Sequence, residues 1–125
     1  MTKQDQIETI SINGIEYVKK SDINQKAETF EGMEYVMCRT YSAGVFAGYL
    51  ESRNGQEAIL RNARRMWKWT GASDLSQLAT EGTSNPKECK FPLTVDKVTL
   101  LQVIELIPIT EKAKKSIEGV PIWKN

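Results

Sequence analysis

The sequence predicts an α+β fold, an antiparallel sheet of about five strands with two helices, from three observations. Segments rich in β-branched and aromatic residues follow one another in the middle of the chain and are separated by short turns that contain glycine. Two further segments combine a helix-capping side chain with a glycine that ends the helix. The length of 125 residues suits a single domain, because a second core would need about 100 residues of its own.

The first 34 residues are expected to form a hairpin followed by a linker. Within residues 7–19, apolar and polar residues alternate on both sides of Asn13-Gly14, the pair that a type I′ turn prefers. Residues 20–33 are polar and show little helical periodicity, so we interpret them as a linker or a weak helix. This leaves residues 35–125 as the predicted ligand-binding core of the domain.

The central segment predicts a meander of three strands, residues 35–41, 45–50 and 56–70. Residues 42–44 and the tripeptide Arg53-Asn54-Gly55 carry the turn signals between them. Gly44 and Gly48 also permit a bulge, which would shift the alternation of side chains between the two faces of the sheet.

A short helix is predicted after the meander. Ser73 or Asp74 would cap its first turn, and Gly82 stands where a glycine ends a helix. Residues 83–90 are polar and predict a loop.

Two β segments and a final helix complete the predicted fold. The segments are residues 91–95 and 98–109, with Pro92 and Pro108 marking edges or kinks. Thr110 would cap the helix, residues 111–118, whose first turn begins with an acidic side chain.

Composition excludes several classes of function. Seventeen basic and sixteen acidic residues give a net charge of +1, which disfavours a protein that binds DNA or RNA polymers. The chain has no histidine and two cysteines, so we expect no metal site, no cofactor and no catalysis that needs a histidine. The sequence shows neither a signal peptide nor an apolar run of about 20 residues, so we expect a cytoplasmic protein without a membrane partner.

The strongest local feature is residues 62–69, where arginines adjoin tryptophans. On an extended chain Arg65, Trp67 and Trp69 would face one way and Arg64 the other. A guanidinium group forms bidentate hydrogen bonds with phosphate oxygens, and indole rings stack on bases, so this pattern suits a nucleotide. The alternative is that the tryptophans belong to the core and the arginines to a solvated rim.

Further candidate residues lie beside two turns. Arg39 and Tyr41 adjoin the turn at residues 42–44, whose small residues would let backbone amides approach a phosphate. Asn85 could read the edge of a base on which Phe91 stacks. Equally, the glycines could relieve crowding between strands, Asn85 could start a turn, and Phe91 could open a strand.

Acidic residues and cysteines offer a weaker indication of catalysis. Glu105 lies between apolar residues, which favours a buried ion pair with an arginine over a catalytic role. Lysines near Cys89 could lower the pKa of its thiol, but the sequence has no histidine that could act as the catalytic base beside it.

Five segments, in this order, resemble the first type of Thoeris anti-defence proteins encoded by phages. The resemblance runs from about Tyr35 to the C-terminus and leaves the first thirty residues uncovered. The segments are RTYSAGVFAG (residues 39–48), ARRMWKW (63–69), LSQLA (75–79) followed by EG (81–82), KF (90–91) and TEKAKK (110–115).

The resemblance implies a protein that sequesters an immune signal without cleaving it. Such proteins hold the cyclic ADP-ribose isomers, including glycocyclic ones, that bacterial TIR proteins make, and so block Thoeris-type immunity in the cytoplasm of the infected bacterium. Relatives are implicated in holding cyclic di- or trinucleotides, which would also block CBASS-type immunity. They assemble as homodimers or hexamers with ligand pockets between subunits, so a homo-oligomer is expected here.

The resemblance also assigns site residues. It carries over to Arg39, to one of Arg64 and Arg65, and to Phe91, with Asn85 from the preceding loop. Two alternatives stay open: an enzyme that cleaves nucleotides with Glu105 or Glu81, and a structural phage protein whose aromatic surface docks another protein.

Overall fold

Five antiparallel strands and two helices form the body of the protein, which confirms the predicted α+β class. The computed structural model describes residues 9–12, 15–18 and 25–124, and the counts here refer to those residues. The elements are β1 (Thr9–Ile12), β2 (Ile15–Val18), β3 (Glu34–Thr40), β4 (Val45–Asn54), β5 (Glu57–Arg65), α1 (Leu75–Glu81), a 3₁₀ turn (Pro86–Glu88), β6 (Thr94–Leu100), β7 (Val103–Pro108) and α2 (Glu111–Glu118).

The N-terminal hairpin forms as predicted, since β1 and β2 pair antiparallel with Ile12 opposite Ile15. The predicted turn residues Asn13-Gly14 and residues 20–24 of the predicted linker lie outside the described residues. The rest of the linker packs on the core, because Ala27 is buried and its amide donates to the carbonyl of Ile109 at 3.0 Å.

The sheet curls because its two edge strands are continuous in the chain. The strand order is β6-β5-β4-β3-β7, and the two edges are joined only by Leu101-Gln102. Because two residues join the end of β6 to the start of β7, these two corners of the sheet must lie close together, and the amide of Val103 donates to the carbonyl of Gln56 before β5 at 2.9 Å.

Both faces of the curled sheet are buried. The concave face holds one apolar cluster, formed by Val36, Cys38, Phe46, Ala58, Leu60, Ala63, Leu100 and Val103. The convex face packs against both helices, and its cluster includes Tyr35, Met37, Ala47, Tyr49, Leu78, Ala79, Phe91, Ile109, Ala113 and Ile117.

A bulge in β5 decides which face each later residue occupies. Ala47 pairs with Arg64 while Tyr49 pairs with Arg61, so Gly48 alone opposes two residues of β5. Asn62 takes up the extra residue at a φ of 50°, and a Cβ on Gly48 would stand 3.1 Å from the Cα of Ala63. The predicted bulge is therefore confirmed at Gly48. It turns Ala63 to the concave face and Arg64 to the convex face.

Arg64 is a buried anchor between the sheet and the C-terminal part of the chain. It is 5% exposed, and its guanidinium makes four hydrogen bonds of 2.7–3.1 Å to backbone carbonyls. The acceptors are Phe91, Pro92, Ile117 and Val120, the last two at the C-terminal end of α2. Burial lowers the pKa of Arg64, but a guanidinium stays charged in proteins and suits the negative end of the helix dipole.

Both helices begin and end where the sequence predicts. Asp74 accepts from the amide of Gln77 at 3.0 Å, and Thr110 accepts from the amide of Ala113 at 3.0 Å. Gly82 ends α1 at a φ of 79°, which glycine adopts readily.

Predicted boundaries of β5 and β6 are wrong. Strand β5 ends at Arg65 instead of residue 70, because Met66 turns into the core and the chain then bridges Lys90 through Lys68. The predicted polar loop is present and contains the 3₁₀ turn Pro86–Glu88, whose proline fixes the first φ. The last two strands are separated at residues 101–102 instead of 96–97, since the chain changes its pairing partner there.

We predict that Arg64→Lys lowers the free energy of unfolding by about 2–4 kcal/mol, because an ammonium cannot reach all four buried carbonyls and each acceptor left unpaired costs about 1–3 kcal/mol. Urea unfolding measures the change. The matched control is Arg53→Lys at the exposed β4–β5 turn, which should change stability by less than about 0.5 kcal/mol. Equal stability of the two variants would contradict the anchoring role.

Candidate ligand-binding site

A cavity of about 510 Å³ opens between β5, β6 and the C-terminal tail. Small-molecule sites commonly enclose about 300–1,000 Å³. Phe46, Ala63 and Val98 place it on the concave side of the sheet, because all three belong to or pack against the concave cluster. The other lining residues are Arg65, Pro92, Leu93, Val95, Lys97, Trp123 and Lys124.

The charged residues of this cavity are all cationic. Arg65, Lys97 and Lys124 line it, and no acidic residue is among the described residues that do so. A cleft that has apolar walls and is lined by positive charges alone concentrates the electrostatic field and attracts an anion. The guanidinium of Arg65 can also form bidentate hydrogen bonds, which fit a phosphate or carboxylate group. The lining of the cavity therefore suits an anionic ligand that also has an apolar part.

Arg65 is held in place but keeps donors available. Its guanidinium lies over the ring of Phe46, 4.4 Å from the ring centre, and donates one hydrogen bond to the carbonyl of Ala43. Within the described residues, that carbonyl is its one hydrogen-bond acceptor. A guanidinium has five N–H donors, so Arg65 can bind a ligand oxygen without leaving its position.

The C-terminal tail forms one wall of the cavity. The amide of Trp123 donates to the carbonyl of Phe91 at 3.0 Å, and Ile122 forms a parallel bridge with Phe91. The ammonium of Lys90 lies 5.4 Å from the centre of the indole ring of Trp123. These contacts position the indole ring of Trp123 at the cavity.

Two of the predicted site residues lie in the core. Arg64 has its donors committed to carbonyls, and Phe91 is fully buried with the Arg64 guanidinium 5.5 Å from its ring centre. Of the two adjacent arginines, Arg65 is the one that lines the cationic cavity, whereas Arg64 lines a smaller depression beside Tyr35 and Glu118. The predicted alignment of Arg65 with both tryptophans is wrong, since Trp67 is exposed and Trp69 packs against the convex-face cluster.

The remaining predicted residues are dispersed over other surfaces. Arg39 forms an ion pair with Glu105 at 2.8 Å, so the predicted pair exists, although both side chains are nearly half exposed instead of buried. Tyr41 is 75% exposed beside the turn at residues 42–44. Asn85 precedes the 3₁₀ turn. None of the three lines the cationic cavity.

Sequence reasoning missed Phe46, Lys97, Trp123 and Lys124. Lys97 lies two residues after Val95 on β6, and a lysine that follows an apolar residue at this spacing is common on solvated strands, so it gave no signal of a site. Trp123 stands in a polar tail after the last helix, and only the bridge to Phe91 brings it to the cavity. The one sequence feature that could have indicated a role for Trp123 was the position of a large aromatic residue in a polar segment.

Side chains suited to metal binding are not clustered in the described part of the chain. It contains no cluster of three or more histidine, cysteine, aspartate or glutamate residues. Both cysteines are buried, and burial raises the pKa of the Cys38 thiol to about 11. Among the described residues, no helix is long and apolar enough to cross a lipid bilayer.

We predict that Phe91→Ala lowers the free energy of unfolding by about 3–5 kcal/mol, because it leaves a cavity under the Arg64 anchor. Leu93→Ala, at a side chain that is 58% exposed, is the control and should cost less than about 1 kcal/mol. Chemical denaturation of both variants provides the comparison. A stable Phe91→Ala protein that has lost ligand binding would instead restore Phe91 as a ligand contact.

Comparison with known proteins places most of the chain in one family. Residues 33–117 match the model of a domain of unknown function, DUF6948. No curated protein and no solved structure matches the chain. The matched region contains Arg65 and Lys97 and ends before the tail that carries Trp123. The chain belongs to the DUF6948 family.

Proposed function

We propose that the protein binds a small anionic nucleotide in the cavity beside Arg65 and holds it without cleaving it. The observation that carries this proposal is the lining of the cavity, which combines three cations with two aromatic rings. A nucleotide presents phosphate oxygens to the cations and a flat ring to the apolar wall.

The free energy that sequestration demands is within reach of this site. Nanomolar binding corresponds to about 12 kcal/mol. Each hydrogen bond between a charged donor and a phosphate contributes about 1.5–3 kcal/mol, and burial of apolar surface adds about 25 cal/mol per Å². Arg65 is already positioned by Phe46 and Ala43, so little conformational entropy is lost when it binds.

The finer assignment follows the resemblance to Thoeris anti-defence proteins. We propose cyclic ADP-ribose isomers as the ligands, with cyclic di- or trinucleotides as a second group. A macrocycle has few rotatable bonds to immobilise, which favours tight binding. Sequestration in the cytoplasm of an infected bacterium would then block Thoeris-type immunity, and with the second group CBASS-type immunity.

The positions of the candidate acids support binding over cleavage. Glu105 is paired with Arg39 and lies away from the cationic cavity. Glu81 ends α1 and lines a different depression beside Gly82 and Lys112. Neither carboxylate lines the cavity where the phosphates would bind, so neither is placed to act on a ligand held by Arg65.

A homodimer or hexamer is part of the proposal. Leu93 and Val95 line the cavity and are 58% and 46% exposed, so an apolar surface surrounds its mouth. A second copy of the chain that covers this surface would enclose the ligand between subunits and exclude water from its phosphate contacts.

The direct test is recovery of the ligand. The protein is mixed with a substoichiometric amount of a cyclic ADP-ribose isomer, separated from free ligand, and denatured, and the released compound is identified by mass spectrometry. We expect the intact macrocycle in an amount that matches the bound fraction. Recovery of an opened or hydrolysed product would favour an enzyme, and the absence of any bound nucleotide would favour a structural protein.

A second prediction concerns the cations. Lys97→Glu should weaken binding of the same ligand at least tenfold, because the reversed charge repels phosphate, while the ammonium of Lys97 takes part in none of the ion pairs formed among the described residues. Lys112→Glu, on α2 away from the cavity, is the charge-matched control. Calorimetric titration measures both. Equal affinities of the two variants would place the ligand elsewhere.

A further inference from the structure

We propose that Trp123 is the stacking platform for the base of the ligand and makes the cavity selective for nucleotides over sugar phosphates or pyrophosphate. This inference rests on the proposed function and assigns the recognition of the base to the C-terminal tail. That tail lies outside the part of the chain that matches the family model.

The accessibility of the two aromatic rings distinguishes them. Phe46 is 3% exposed, and the guanidinium of Arg65 lies over its ring at 4.4 Å. A base cannot reach a ring that is covered in this way. Trp123 is 37% exposed and lines the cavity. It is therefore the aromatic side chain of the lining that offers a ring face to a ligand.

The indole ring is oriented before any ligand arrives. The ammonium of Lys90 lies 5.4 Å from its centre and is not among the groups that line the cavity. The backbone is anchored up to the ring by the hydrogen bond from Arg64 to Val120, by the bridge between Ile122 and Phe91, and by the hydrogen bond from the Trp123 amide to the carbonyl of Phe91 at 3.0 Å. Stacking on a ring that is already in place loses little side-chain entropy.

The cavity thus divides recognition between two walls. Arg65 and Lys97 on the strands would bind phosphate, and Trp123 on the tail would bind the base. Stacking of one base on an aromatic side chain changes affinity by roughly 5- to 150-fold in proteins that bind nucleic acids. A ligand without a base would not benefit from this contact.

The test compares Trp123→Leu with the unaltered protein by calorimetry, with cyclic ADP-ribose and inorganic pyrophosphate as probes. We expect roughly 5- to 150-fold weaker binding of cyclic ADP-ribose and a pyrophosphate affinity unchanged within about twofold. Trp123→Phe should restore most of the affinity for cyclic ADP-ribose, because a phenyl ring also stacks. Trp67→Leu, at an indole that is exposed and does not line the cavity, is the matched control and should leave both affinities unchanged.

Each other outcome overturns a defined claim. Unchanged binding of cyclic ADP-ribose by Trp123→Leu would refute the stacking role and leave the proposed function intact. Equal loss of both probes would assign Trp123 a structural role in holding the tail. Failure of the unaltered protein to bind either probe would overturn the proposed function itself.

Discussion

The buried guanidinium of Arg64 is the interaction on which the rest of the structure depends. It joins β5 to the end of α2, to the start of the tail and to the segment before β6 through four carbonyl groups. These segments are far apart in sequence, and a planar donor with several N–H groups can bind them at once. Removing it would leave carbonyls without partners inside the core, where an unpaired polar group is costly.

The bulge at Asn62 links this anchor to the candidate site. Because one extra residue is accommodated opposite Gly48, Arg64 faces the helices and Arg65 faces the concave side of the sheet. The same anchor holds Val120, and the tail that follows brings Trp123 to the cavity. Two adjacent arginines therefore have separate tasks, one in stability and one, we propose, in binding phosphate. The architecture of the site follows from the architecture of the core.

The local part of the fold could be predicted from sequence, and the site largely could not. Thr110 and Asp74 mark helix starts because their caps depend on neighbouring amides only. Which of the two arginines faces the cavity depends on the bulge at Asn62, and that bulge is set by packing between strands. Alternation also assigned Arg65 and the tryptophans to one face, which is wrong because β5 ends at Arg65 and Met66 turns into the core. Trp123 reaches the cavity through a bridge to a residue about thirty positions earlier, a contact that leaves no local pattern.

The central claim is that one cationic and aromatic cavity holds a cyclic nucleotide unchanged. A crystal structure of the protein grown with a cyclic ADP-ribose isomer tests it most directly. We expect electron density for the intact macrocycle between β5, β6 and the C-terminal tail, with phosphate oxygens within hydrogen-bonding distance of Arg65. Density for a cleaved product, or for a macrocycle bound against Arg39 or Tyr41 with the cavity beside Arg65 vacant, would contradict it.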